Sequence, residues 1–251
     1  MDSFRLVVRQ PKLFLPKLFL AVLYGFLMLE TAKVSLQMAP SILEKTMVWT
    51  PQEAGQLLAQ TLFLLFLTLL AMVIDVWIAS WYPILVSQYR ERKTVSFRNA
   101  IRESKKRFLV VLPLVFGFEL LIAVILGLFL NAALFSLPLE GFGFSILLGL
   151  LVSFAVTVAL YPLLSVGVLE KKSVLGSIGR TFDLSKKNWK IFSLASVLQF
   201  AISLANFVLA FLAEKPEFLL LFWIARIALA LTATYNAAVN PSAYFAATEK
   251  E

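Results

Sequence analysis

The chain has 251 residues, of which 60% are hydrophobic and only 15% charged, with a formal net charge of +8 and a mean hydropathy of +0.86. Water-soluble domains carry about 25% charged residues, so a soluble core is excluded in favour of chain solvated by a bilayer. The sequence has no Cys and no His, which removes disulfides and thiolate metal sites, the commonest general base and the usual partner of a nucleophilic serine.

Six segments are long and apolar enough to span as helices: 13–37, 58–86, 108–137, 143–168, 189–213 and 218–247. The first follows basic residues, as a signal peptide would. Glu30 ends its apolar run without a small-x-small cleavage site, so it reads as a retained span. The connection 38–57 ends in Thr50-Pro51-Gln52-Glu53, which predicts an N-cap, a proline at the first helical position and an acidic first turn. The connections Pro138-Leu139-Glu140-Gly141 and Glu214-Lys215-Pro216-Glu217 are short. Two longer basic connections carry apolar stripes, Phe97/Ile101/Ser104/Phe108 and Val174/Ile178/Phe182. Each predicts an interfacial helix with its stripe toward lipid and its Lys and Arg toward anionic headgroups.

Orientation follows from charge. Of the 23 basic residues, all but Lys33, Lys45, Lys215 and Arg226 fall in the N-terminal segment, in 90–107, in 171–190 or at Lys250. The positive-inside rule then puts both termini in the cytoplasm of a cell-membrane protein.

A pattern recurs at intervals of 79 residues: Tyr82-Pro83…Glu91-Arg92, Tyr161-Pro162…Glu170-Lys171 and Asn240-Pro241…Glu249-Lys250. It divides one integral membrane domain, 1–251, into helical-hairpin repeats of about 1–91, 92–170 and 171–250. A hairpin enters and leaves on one side, so the repeats are parallel, about an axis along the membrane normal. The expected fold is all-α and polytopic: six transmembrane helices as three parallel hairpins, with interfacial amphipathic helices. Pro83, Pro162 and Pro241 should each kink a helix at a similar depth.

The segment Glu170-Lys171-Lys172-Ser173-Val174-Leu175-Gly176-Ser177-Ile178…Ser185-Lys186-Lys187-Asn188-Trp189 resembles a group of uncharacterised six-span prokaryotic membrane proteins. These are similar to the membrane domain attached to some bacterial glycerophosphodiester phosphodiesterases. The resemblance implies repeated hairpins and assigns no activity, and the soluble phosphodiesterase domain is absent from this chain.

Ionisable groups within a bilayer are costly and mark candidate sites. Glu119 lies 11 residues after Phe108, about 16 Å along a helix, near the midplane. Asp75 lies 15 residues before Arg90, about 22 Å from the cytoplasmic edge. Glu30 should reach the outer interface and pair with Lys33. Glu119, Asp75 and Arg226 form the candidate intramembrane polar site, with Asn131, Gln199, Asn206, Asn236 and Asn240 as further polar groups. The competing reading is structural: the buried acids stay protonated or pair with Arg226, and the amides bond between helices. Gly117, Gly127 and Gly149 should permit close helix approach. No metal site, cofactor or nucleic-acid partner is expected; membrane lipids are. The functional expectation is a non-catalytic carrier or permease for a small solute, ion or lipid. The alternative is an embedded accessory module that binds lipid or a partner protein.

Overall fold

A computed structural model describes residues 2–43, 50–135, 139–213 and 219–249. Among these, all regular structure is helical. The helices are α1 (Asp2–Arg9), α2 (Phe14–Leu43, after a 3-10 turn Pro11–Leu13), α3 (Pro51–Ala79), α4 (Trp81–Arg92), α5 (Phe97–Phe135), α6 (Leu139–Leu160), α7 (Leu163–Leu169), α8 (Val174–Lys187), α9 (Trp189–Ala213) and α10 (Leu219–Thr248). Among the described residues, 5 helical stretches are long and apolar enough to cross a membrane: Pro11–Leu36, Gln52–Arg92, Phe97–Ala132, Gly143–Leu169 and Leu219–Thr248. The fold is therefore that of a multi-pass helical membrane protein. The sixth expected span coincides with α9, which is helical but does not join these five. Of the expected connection Pro138–Gly141, Leu139 onward is already α6; Pro138, the connection Glu214–Glu217, and Lys45, Lys215 and Lys250 lie outside the described residues.

Local sequence accounts for the helix ends. At the start of α3, the Thr50 amide donates to Glu53 Oε2 (3.0 Å) and the Glu53 amide donates back to Thr50 Oγ1 (3.3 Å). This reciprocal capping box satisfies two orphan donors. Ser173 caps α8 by accepting from the Gly176 amide. α3 stops at Ala79, four residues before Pro83, whose missing N–H leaves the Ala79 carbonyl without its helical donor. α6 stops at Leu160 for the same reason, and the Tyr161 amide donates to the Val158 carbonyl in a tighter turn (3.4 Å). α10, by contrast, runs unbroken through Pro241. The three prolines thus do not produce three equal interruptions.

The expected interfacial helix at 97–107 is instead the opening of α5, a single helix of 39 residues. Nothing within Phe97–Phe108 breaks helix propensity, and Ser104 of the stripe is buried in protein together with the adjacent Ala100. α8 is a separate helix as expected. It buries Ser177, Thr181, Leu184 and Ser185 against protein, where small hydroxyl residues allow close packing. Phe182 of the apolar stripe and the neighbouring Leu175 stay exposed.

The chain divides into two compact units. The first comprises Met1–Gln10, Val76–Leu204 and Tyr235–Glu251; the second comprises Pro11–Asp75 and Ala205–Thr234. In the first, Tyr161, Val166, Leu184, Phe192, Val239 and Ala243 form a core. Gly149 lets α6 close on α5, because a Cβ there would lie 2.6 Å from Phe129 Cβ. Gly117 and Gly127 have no neighbour within 4 Å at that position, so the expected packing role falls to Gly149. In the second unit, Phe222 and Ala225 pack with Met28, Leu29, Trp223 and Leu229. Phe26 meets Trp223 edge-on, with ring centroids 5.4 Å apart.

Candidate functional site

Within the second unit, α2, α3 and α10 enclose a cavity of about 400 Å³, to which α9 adds Asn206. That volume lies within the range of about 300–1,000 Å³ typical of small-molecule pockets. Its walls are mostly apolar, with polar groups at Lys17, Thr31, Thr68, Asp75, Asn206 and Arg226.

The strongest interaction in it is an ion pair, Lys17 Nζ to Asp75 Oδ1 at 2.6 Å. Lys17 falls in the first turn of α2, the end at which a helix dipole disfavours a cation. Local helix electrostatics therefore do not hold it there, and the carboxylate of α3 offsets the cost. The Lys17 side chain is 13% exposed and that of Asp75 37%, so the pair is lodged at the cavity wall with the acid the more open partner.

Arg226 of α10 joins them in the lining. Its guanidinium packs on Met28 Sδ and lies 5.3 Å from the centroid of the Phe222 ring, a cation–π geometry. Asn206 Oδ1 accepts from the Thr232 hydroxyl. The Thr31 and Thr68 hydroxyls donate to the Leu27 and Leu64 carbonyls of their own helices, both at 2.8 Å. Their oxygens retain lone pairs that can accept from a guest. With Lys17, Arg226 and Asp75 ionised, the lining carries one positive charge in excess. A guanidinium offers a planar fork suited to carboxylate or phosphate oxygens. The arrangement can therefore bind an anionic or zwitterionic solute.

Two of the three predicted site residues, Asp75 and Arg226, line this cavity; Glu119 does not. Glu119 belongs to the first unit and occupies an exposed position on α5, flanked by the exposed Leu120. Leu114 and Val111 on the same helix take the buried face, and Glu119 falls outside their stripe. Lys17 was legible only as a topology-setting basic residue. The signal for its role was its position inside the apolar stretch, with an acid available in the next span.

The other polar residues sort clearly. Glu30 accepts from Lys33 at 2.5 Å, as expected, beside a second cavity of about 380 Å³ lined largely by apolar residues. Asn131 donates to the Gly127 carbonyl within α5. Asn240 belongs to a network in the first unit: its amide donates to the Tyr161 carbonyl, and its oxygen accepts from the Ser165 hydroxyl (2.6 Å). Among the described residues, no group of three or more His, Cys, Asp or Glu is placed to hold a metal ion. Compared with known proteins, the chain matches no family model, no curated protein and no solved structure.

Proposed function

We propose that this protein is a membrane carrier, acting without catalysis, for a small solute that bears an anionic group. The observation that carries the proposal is the Lys17–Asp75 pair beside Arg226 in the wall of a cavity of about 400 Å³. Ionisable groups within membrane spans that face a cavity mark solute paths, and the excess positive charge here favours an anion. The absence of His and Cys from the sequence supports a non-catalytic role. In this proposal α9 is the sixth span, the 79-residue pattern marks three parallel hairpins, and both ends of the chain face the cytoplasm of a cell membrane. The basic segments lie against anionic headgroups there. The exposed Leu175 and Phe182 of α8, with Lys186 and Lys187 on the same helix, support that contact. The resemblance carried by Glu170–Trp189 assigns no activity, and the carrier reading rests on the cavity alone.

The test is charge movement across proteoliposomes on a solid-supported membrane, with acetate, lactate, succinate and glutamate presented in turn. A saturable current that Arg226→Gln abolishes, with the fold retained, supports the carrier. No current with any of the four, together with a lipid or protein retained through purification, favours the accessory module. Cysteine at Ser173 that labels from outside intact cells would overturn the orientation.

A further inference from the structure

A second polar cavity lies in the first unit, where α1 meets the end of α4. It measures about 310 Å³ and is lined by Arg5, Arg9, Tyr89, Arg90 and Lys93. α1 explains its first wall. Leu6 and Val7 are buried, which anchors the helix, and Arg5 and Arg9 fall one turn apart on the side left exposed. The last turn of α4 supplies Arg90, and its C-cap supplies Lys93.

The state of these cations is informative. Arg90 is engaged: it pairs with Glu249 and its guanidinium lies 4.9 Å from the centroid of the Phe245 ring. Among the described residues, the side chains of Arg5, Arg9 and Lys93 form no hydrogen bond or ion pair; the Lys93 ammonium lies 5.6 Å from the Tyr89 ring centroid. Four cations therefore line one cavity, and the one carboxylate that meets them, Glu249, engages Arg90. Positive-inside topology explains basic residues at a helix end, but not their convergence on a cavity, where they repel one another.

The backbone adds an independent observation. Lys93 has φ 58°, the only positive φ of a non-glycine among the described residues. This left-handed cap position is normally filled by glycine, which adopts it without steric cost. The Lys93 amide still donates to the Tyr89 carbonyl and closes the helix, as glycine's would. Glycine would remove the strain and the ammonium together. A strained residue retained at a cavity wall is a mark of a functional position.

We propose that this cavity binds a phosphate group with the charge of a phosphomonoester. Such a group carries close to two negative charges and three terminal oxygens, enough to engage Arg5, Arg9 and Lys93 at once, with the Tyr89 hydroxyl as a further donor. The same chemistry is offered by the headgroup of phosphatidic acid and by inorganic phosphate in solution.

The experiment separates these sources. Purified full-length protein is dialysed to equilibrium against radiolabelled inorganic phosphate. In parallel it is loaded in detergent with equal phosphatidic acid and phosphatidylcholine, and the retained ratio is read by mass spectrometry. Binding is expected in at least one arm: enrichment of phosphatidic acid alone identifies a lipid headgroup, and dialysis binding identifies a soluble phosphate. Arg5→Gln/Arg9→Gln, at exposed positions, should weaken binding at least tenfold or return the lipid ratio to that of the mixture. Lys45→Gln/Lys215→Gln removes the same charge outside the basic segments and should change either readout less than twofold. Glu249→Gln, which frees Arg90, should tighten binding severalfold. No binding in either arm, or equal loss in the Lys45/Lys215 control, overturns the proposal.

Discussion

The polar groups around α7 in the first unit and those of the cavity in the second are used in opposite ways. Around α7, polar groups are consumed by one another. Arg107 donates to the Gly167, Glu170 and Lys172 carbonyls at 3.2, 2.9 and 2.5 Å, and so clamps the end of α7. Glu170 takes Arg180 (3.3 Å), Lys172 (3.2 Å) and the Tyr244 hydroxyl (3.2 Å). Asn240 ties α10 to the broken turn at Tyr161. In the second unit, the Lys17–Asp75 pair and Arg226 stand at the edge of open space. A polar residue within a membrane span is thus not a functional sign by itself. What separates the two cases is whether its neighbours are backbone and side chain or a cavity.

The largest expected effect lies in the first network. Asn240→Leu removes a donor from the Tyr161 carbonyl and an acceptor from the Ser165 hydroxyl. Interhelical polar bonds of this kind contribute about 1–2 kcal/mol each in model systems, so the loss should be about 2–3 kcal/mol. Thermal unfolding in mild detergent measures it. An unchanged melting temperature would mean that this network does not hold the unit together.

Glycines sharpen the comparison. A Cβ at Gly149 would meet Phe129 Cβ at 2.6 Å and Cγ at 2.9 Å, atoms fixed close to the backbone. Gly149→Ala should cost about 1–2 kcal/mol through overpacking. In the second unit, a Cβ at Gly25 would crowd outer ring atoms of Trp223, at 2.8 and 3.0 Å, and meet the Phe222 ring at an ordinary 3.6 Å. The Trp223 ring can turn, so Gly25→Ala should cost less. Gly117→Ala, with nothing within 4 Å, should stabilise by about 0.5–1 kcal/mol through helix propensity. The order of the three melting temperatures is the measurement.

Asp75 tests the cavity itself. Asp75→Asn leaves the Lys17 ammonium without its charge partner. Solute binding should change at least tenfold, about 1.4 kcal/mol. The sign is informative: an anion competing with Asp75 for Lys17 should bind the variant more tightly, while carrier turnover falls because release is hindered. Equal affinities of variant and wild type for every anion tested would take Lys17 out of the site.

Sequence alone revealed the helical class, the capping box at Thr50 and Glu53, and the pairing of Glu30 with Lys33, because each depends on nearest neighbours along one helix. It also selected Asp75 and Arg226 by their cost in a bilayer. It did not reveal which way a helix turns. Depth placed Glu119 near the midplane, but depth fixes distance along the helix and not its azimuth. On α8 the apolar stripe was legible, but the buried face of Ser177, Thr181 and Ser185 beside it was not. Arg107 appeared only as a topology signal and Glu170 only as part of the 79-residue pattern, because the carbonyls Arg107 clamps lie 60 to 65 residues away and the Tyr244 hydroxyl that meets Glu170 lies 74 away.

Glu119 gives the smallest expected effect and the cleanest check on this reasoning about azimuth. Its exposed place on α5 and its absence from the cavity lining separate it from Asp75, although the sequence alone ranks them equally. Glu119→Gln keeps the side chain's size and a hydrogen-bonding oxygen while removing the charge. Because Glu119 lies outside the cavity lining, anion flux should stay within twofold of wild type. A shift of the flux–pH profile on Glu119→Gln, with Asp75→Asn leaving it unmoved, would invert the comparison: the exposed acid of the first unit would carry the proton or solute, and the cavity of the second would be a packing feature.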